Sequence, residues 1–353
     1  MVTERWVYYT QFAYRTGVRG SQFELNANVF FGRGERAILI SILYIINSRV
    51  VHPSDVNVEA EFALHSSVFV TPENAKRLAI NNAFVAQTAT QLPPHVFPLR
   101  IVANFKGALN NLSRSDVAYI LGLPDNRFGR MAPYLDLVPG MPVQVTQNVG
   151  TAKGVANGIL GTLESVHFSS QPPTTFRLVR DGATDTVVQL SSQPPDYALL
   201  RLPRPHAVPT RTGMDAKLFP VFFGTEPFKK SKISLPPAPD GQRRYLEVKL
   251  QQFPFVCAVG STVYKLQGET LNAMVVVDWT SSCNLINKPQ QSYLLVSRVT
   301  SRNAFYCLSP FTDKLAKWSR PPQNTRDEEA RLNELSLRTL LAFQRSRRNG
   351  LPL

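Results

Sequence analysis

Two short segments near the C-terminal end of this chain constrain its fold more than anything else in it. The first is Thr262-Val263-Tyr264-Lys265-Leu266-Gln267-Gly268-Glu269-Thr270-Leu271, with Val275-Val276-Val277-Asp278 close behind. The second is Tyr293-Leu294-Leu295-Val296-Ser297-Arg298-Val299-Thr300-Ser301-Arg302. In each, a polar cluster abuts an apolar run of β character. Open α/β sheets hold their ligand chemistry on polar groups at strand ends. The pair therefore predicts an α/β domain with its ligand chemistry at the ends of its strands.

The rest of the chain reads as a series of short elements. Ser67-Val68-Phe69-Val70 is a strand signal. Thr71-Pro72-Glu73-Asn74 reads as a helix start, with Thr71 as the N-cap and Pro72 at the first helical position, and the helix should reach about Phe84. Strand–turn–helix is half of a βαβ unit. Prolines punctuate residues 92–140, which read as loop. Val143 and Val145 alternate with Gln144 and Thr146, as in a half-buried strand. Strands expected at 163–168, 176–179 and 186–190 suggest a small antiparallel barrel. Residues 191–240, rich in proline, read as an irregular connection, with regular structure resuming at 244–250. Thr325-Arg326-Asp327-Glu328 has the form of a capping box, and Leu332, Leu335, Leu340 and Phe343 should give the following helix an apolar packing face.

Charge narrows the partners. The net charge is +14 and the pI near 9.9. An excess of that size favours a polyanion, nucleic acid before anionic membrane. Cys257, Cys283 and Cys307 form no C-x-x-C, which fits a reduced intracellular compartment. The five histidines are too dispersed for metal-ligand spacing, so no metal site is expected in the side chains. The longest apolar stretch, Ala37 to Ile46, is too short to span a bilayer core of ~30 Å, and no membrane partner is expected.

The two C-terminal segments resemble the fifth and sixth motifs of the Pif/RecD-like DNA helicases of superfamily 1B. Thr262, Lys265, Gln267, Gly268, Thr270 and Leu271 match the fifth, with Tyr264 in place of the usual His. Ser297-Arg298-Val299-Thr300-Ser301 matches the sixth. Phe69 to Asn74 resembles the fourth motif. Pro139-Gly140-Met141-Pro142-Val143, with Gly154, Asn157, Gly158 and Gly161, resembles the segment that leads into an inserted SH3-like barrel. The ending, Phe311 to Leu341, resembles Pif-type helicases linked to Helitron-like elements. The likeness covers about residues 60–320.

That resemblance implies a second RecA-like domain, a parallel sheet with flanking helices, carrying an SH3-like small β-barrel. It implies domains at 61–130 and 244–320 for the RecA-like part, 131–243 for the barrel and proline-rich connection, and 321–353 for a C-terminal helix and basic tail. Residues 1–60 are unassigned: the first RecA-like domain is either absent or reduced to a remnant there. Arg298 would be the arginine finger and Gln267 its catalytic companion, both in loops at carboxyl strand ends and converging on one exposed cleft. Gln267, Gly268, Glu269 and Arg298 would face ATP and its Mg²⁺. Thr71, Asn74, Thr262, Tyr264 and Lys265 would line single-stranded DNA. The implied setting is nuclear, in DNA repair, recombination and telomere maintenance.

No Gly-x-x-x-x-Gly-Lys-Ser/Thr occurs in the sequence, so a phosphate loop is missing from it. Asp327-Glu328 follows no apolar strand and is no magnesium-binding pair. The sequence therefore reads as the C-terminal portion of a helicase, inactive alone, whose Walker-containing half lies upstream or acts in trans. The alternative is a non-catalytic protein that kept the single-stranded nucleic-acid path, with exposed Tyr264 stacking on bases.

Overall fold

The computed structural model describes residues 43–51, 67–170, 172–181, 184–203, 213, 215–224, 230–238, 241–319 and 322–348. Most of the N-terminal segment read as a remnant lies outside the described residues. The chain divides into two compact units, residues 1–72 with 266–353, and residues 73–265. The boundary falls between Lys265 and Leu266, inside the first of the two C-terminal motifs.

Strand β1 (Val68–Thr71) belongs to the first unit. The second unit then runs α1 (Asn74–Gln91), β2 (Leu99–Val102), α2 (Arg114–Leu121), β3 (Tyr134–Leu137), β4 (Pro142–Val145), β5 (Leu160–His167), β6 (Thr174–Asp181) and β7 (Thr184–Ser191). It continues with β8 (Tyr197–Arg201), β9 (Leu218–Phe222), β10 (Ser231–Leu235), β11 (Arg244–Val248), β12 (Phe255–Cys257) and β13 (Gly260–Thr262). The chain re-enters the first unit with β14 (Met274–Val276), α3 (Gln291–Val296), β15 (Phe305–Cys307), α4 (Asp313–Trp318) and α5 (Gln323–Arg348).

In the first unit β14 lies between β1 and β15 and pairs with both in parallel, Val275 facing Phe69 on one side and Tyr306 on the other. Parallel strands covered on both faces read as unbroken apolar runs. Met274, Val275 and Val276 are accordingly sealed from solvent, as are Phe305, Tyr306 and Cys307. Val51 N–H donates to Cys307 O (2.9 Å) and Cys307 N–H to Arg49 O (3.0 Å), which extends the sheet beyond β15. Trp279 packs on Phe311 with ring centroids 4.6 Å apart.

The second unit is mainly antiparallel. One five-stranded sheet has the order β12-β4-β5-β8-β9, and a four-stranded sheet the order β3-β2-β7-β6, with β2 and β7 parallel. Val143, Val145, Leu163, Leu200, Val221 and Phe255 form a common core to which α1 adds Val85. Gly161 is required here, because a Cβ at that position would lie 2.8 Å from Arg201 O on the neighbouring strand. A second core joins Ile120 of α2 to Ile233 and Val248 of the β10–β11 hairpin, with Phe128 and Met131 between them. The whole is a mixed α/β fold with parallel strands. No described helix is long and apolar enough to cross a membrane.

Several local expectations fail. Helix α1 starts at Asn74, with Glu73 as N-cap and no side-chain cap, and runs to Gln91 rather than Phe84. Thr71 is not its cap: the residue before a proline is pushed toward extended geometry, so Thr71 completes β1 instead. Residues 92–140 are not loop but contain β2, α2 and β3, and 191–240 contain β8, β9 and β10. These strands are four or five residues long, too short for a clear alternating pattern. Tyr293 to Val296 is a helix rather than a strand. Its first turn is fixed where Gln291 Oε1 accepts from Lys288 N–H (2.5 Å), and a short apolar run suits either state. Helix α5 begins at Gln323, which puts Thr325 inside it, and Glu328 pairs with Arg331 instead of closing a capping box. Its expected packing face is exposed at Leu332, Leu335, Leu340 and Phe343.

Candidate nucleotide and nucleic-acid site

The Thr262–Leu271 segment is pinned by its apolar positions and bared at its polar ones. Val263, Leu266 and Leu271 are buried, whereas Tyr264, Gln267, Gly268 and Thr270 are exposed. After β13 the chain makes a 3-10 turn over Val263–Leu266. It then reverses at Gly268, whose φ of +89° is in the left-handed region that an L side chain resists.

Arg298 is bound to this turn. Its Nη1 donates to Leu266 O and to Glu269 O, both at 3.3 Å. Those two carbonyls bracket Gln267 and Gly268. Its Nε donates to Leu294 O (3.0 Å) and its Nη2 to Ser297 Oγ (2.7 Å). The backbones are joined as well: Leu271 N–H donates to Arg298 O (2.8 Å), and Leu271 and Val299 form a parallel bridge. Gln267, Gly268, Glu269 and Arg298 thus occupy one neighbourhood of the first unit. Burial pushes the Glu269 carboxyl above its ordinary range, and the positive charge of Arg298 opposes that shift. Arg298 does not lie at a carboxyl strand end, however. It follows helix α3 and precedes β15, because the apolar run before it folded as helix.

In the second unit Lys265 is held by a carboxylate far away in sequence. Lys265 Nζ lies 2.9 Å from Asp125 Oδ2, and the other Asp125 oxygen binds Arg77. Asp125 and Arg77 are almost wholly buried, with side chains 2% and 3% exposed, and Lys265 is 22% exposed. Burial alone would raise the Asp125 carboxyl, but the charges of Arg77 and Lys265 outweigh it and hold it below the usual range. Burial pulls the Lys265 ammonium down, Asp125 opposes this and Arg77 adds to it. Two cations share one carboxylate, so the carboxylate gains more than either cation. Arg77 Nε has no hydrogen-bond partner among the described residues. Sequence reasoning missed both Arg77 and Asp125. Asp125 sits in a stretch read as loop, and only tertiary folding brings it to Lys265.

Asn81 sets the entry to the segment. Its Oδ1 accepts from Gly260 N–H (2.6 Å) and its Nδ2 donates to Cys257 O (3.0 Å), which fixes β13 just before Thr262. A Cβ at Gly260 would lie 2.9 Å from Arg77 O, so helix α1 and β13 meet backbone to backbone there.

The other expected DNA-facing residues are divided. In the first unit Thr71 is buried and its hydroxyl donates to Asp278 Oδ2 (3.4 Å), joining the ends of β1 and β14. Asn74, Thr262, Tyr264 and Lys265 belong to the second unit. Asn74 is the first residue of α1, Thr262 is half-buried, and Tyr264 is 42% exposed.

No protein-family model and no curated protein matches the sequence. Solved structures that its fold resembles include Pif1 helicases. The Bacteroides Pif1 helicase in complex with ADP-AlF3 and ssDNA is 16% identical, over 91% of this chain and 55% of that one, with a TM-score of 0.47. The Candida albicans Pif1 helicase is 15% identical, over 85% of this chain and 58% of that one, with a TM-score of 0.38. The chain spans about half the length of these proteins. At such identity and superposition the likeness assigns no activity.

Proposed function

We propose that this chain supplies the second motor half of a Pif/RecD-like helicase, with Arg298 as the arginine finger and its antiparallel sheets as counterpart of the inserted SH3-like barrel. The observation that carries the reading is the placement of the Arg298 guanidinium on the carbonyls of Leu266 and Glu269. The later part of one motif, from Leu266 on, and Arg298 of the other meet within the first unit. Its N–H donors now rest on neutral oxygens and would exchange them for phosphate oxygens, which a guanidinium binds more strongly, while Gln267 adds an exposed amide.

ATP fits these groups in part. Arg298 and Gln267 would face the γ-phosphate. Bound ATP with Mg²⁺ supplies the phosphoryl group that is transferred. Among the described residues no group of three His, Cys, Asp or Glu could hold a metal, so magnesium would be held by the nucleotide and a phosphate-loop half. Single-stranded DNA would run past Asn74, Thr262, Tyr264 and Lys265 of the second unit, and not past Thr71, which is buried. Lys265 would keep its Asp125 partner while its charge adds to the field at the phosphates.

The test has two arms. The chain is mixed with Mg-ATP and oligo-dT, alone and with a phosphate-loop motor half. Turnover should need that half and fall about 10³-fold with Arg298→Ala. Oligo-dT binding should weaken with salt, with a log–log slope of about −0.7 per phosphate contact. Turnover indifferent to Arg298→Ala would overturn the finger. Salt-sensitive oligo-dT binding together with no turnover in any mixture would instead favour a non-catalytic binding protein, a reading supported by the exposure of Tyr264.

A further inference from the structure

At one end of the five-stranded antiparallel sheet of the second unit lies a shallow groove of about 650 Å³. The strand register builds it. His167 of β5 pairs with Tyr197 of β8, and Tyr197 pairs with Phe222 of β9. The three rings therefore fall side by side across neighbouring strands. His167 stacks on Tyr197 with centroids 4.5 Å apart and planes 13° from parallel, and Tyr197 meets Phe222 at 5.7 Å. Phe222 is half exposed. His167 Nε2 is held by Ser165 Oγ at 2.7 Å, which limits rotation of the ring. Pro195 and Asp196 also line the groove. Cross-strand pairing makes this a fixed surface, and contiguous exposed rings of this kind mark binding sites.

Charge decides which ligand fits. The chain carries 39 Lys and Arg against 25 Asp and Glu, yet no described Lys or Arg lines this groove. Among the described residues lining it, Asp196 is the one acidic or basic residue besides His167. It is exposed, accepts from Ser169 Oγ (2.7 Å), and pairs with no described cation. Single-stranded nucleic acid needs cations for its phosphates beside the rings it stacks on, and here it would meet a carboxylate.

We propose that this groove binds a proline-rich peptide in the polyproline II conformation, carrying an Arg or Lys beside its prolines. Prolines dock in grooves lined by aromatic rings, and here the exposed Phe222 stands beside the stacked His167–Tyr197 pair. A polyproline II backbone makes no internal hydrogen bonds, so its carbonyls seek donors such as the Tyr197 hydroxyl. Asp196 receives the cation at the end of the groove and fixes the direction in which the peptide lies. This binding is independent of Arg298 and of any nucleotide.

The probe is a fluorescein-labelled twelve-residue peptide of repeated Leu-Pro-Pro with one terminal Arg, titrated into the chain and read by anisotropy. A second peptide replaces the Arg with Ala. Saturable binding below about 1 mM is expected. Phe222→Ala should weaken it about tenfold, as loss of an exposed aromatic anchor does. Asp196→Asn should remove the preference for the Arg peptide, about threefold, and leave the Ala peptide unchanged. Circular dichroism of each variant confirms that it is folded, and Asp196→Asn tests the site even if Phe222→Ala unfolds. Failure of both peptides to bind, or binding equal in folded wild type and both variants, overturns the proposal. So does oligo-dT that binds the wild type and loses affinity with Phe222→Ala, because the rings would then serve a nucleic acid.

Discussion

The two units treat their key cations in opposite ways. In the second unit Arg77 and Lys265 close on Asp125, a carboxylate withdrawn from water. In the first, the Arg298 guanidinium donates to the neutral oxygens of Leu266, Glu269, Leu294 and Ser297. A buried ion network resists disruption because any missing member leaves an uncompensated charge in a poor solvent. The Arg298 charge also favours the ionised Glu269 carboxyl, but its hydrogen bonds here run to neutral oxygens, where water can replace it. The first arrangement suits a framework, the second a group that acts on an incoming anion. Adjacent residues of one motif serve both, Lys265 in the network and Leu266 under Arg298.

The largest effects should separate the two. Arg298→Ala should cost about 10³ in DNA-stimulated turnover when a phosphate-loop half is supplied, yet only about 1 kcal/mol in urea unfolding. An equally large loss of stability would break the comparison by making Arg298 part of the framework.

Asp125→Ala should show the reverse balance, destabilising the chain by about 3–5 kcal/mol because two cations are left side by side. Replacing the pair together, Arg77→Met with Asp125→Leu, should cost far less than Asp125→Ala. The pH dependence has a fixed sign. The Asp125 carboxyl is held below its ordinary value of 3.8 in the fold. Its contribution is therefore complete above that value and is lost as the pH falls through the folded pKa. Acid titration of wild type against Asp125→Asn should show the curves converging below that point.

Tyr264→Ala should weaken oligo-dT binding by about 1 kcal/mol, the low end for loss of one stacking ring, with the salt slope unchanged. A changed slope would mean that the variant disturbs Lys265 instead. The smallest effect is expected from Glu269→Gln. The fold raises the Glu269 carboxyl, so ionisation works against folding as the pH rises through its ordinary 4.5 and on through the folded value. The variant should gain on wild type across that window and keep the gain above it, within about 0.5 kcal/mol because solvent screens the group.

The residues around Arg298 were legible only through the resemblance of their two segments to known motifs; the structure adds that Val263, Leu266 and Leu271 anchor the turn. Helix α2 was missed although Ser113 caps it, its Oγ accepting from Asp116 N–H at 3.1 Å, because eight residues carry too little periodicity to stand out among prolines. The strand read at Tyr293–Val296 was a helix for the same reason. The α5 apolar face was read correctly as a stripe and wrongly as packed, since a stripe does not specify what covers it.

By itself the sequence determined the mixed α/β character, the antiparallel strands in the middle of the chain, and the identity of the residues gathered at Arg298. The first two follow from local rules, apolar runs and turn residues, and the third from the motif resemblance. Only the tertiary structure decided that Lys265 is held by Asp125 and Arg77, 140 and 188 residues away in sequence. It also decided that Arg298 follows a helix and that His167, Tyr197 and Phe222 form one surface. Charge pairs and ring platforms depend on which strands and helices become neighbours, and that choice is made by burial of the whole core rather than by any local segment.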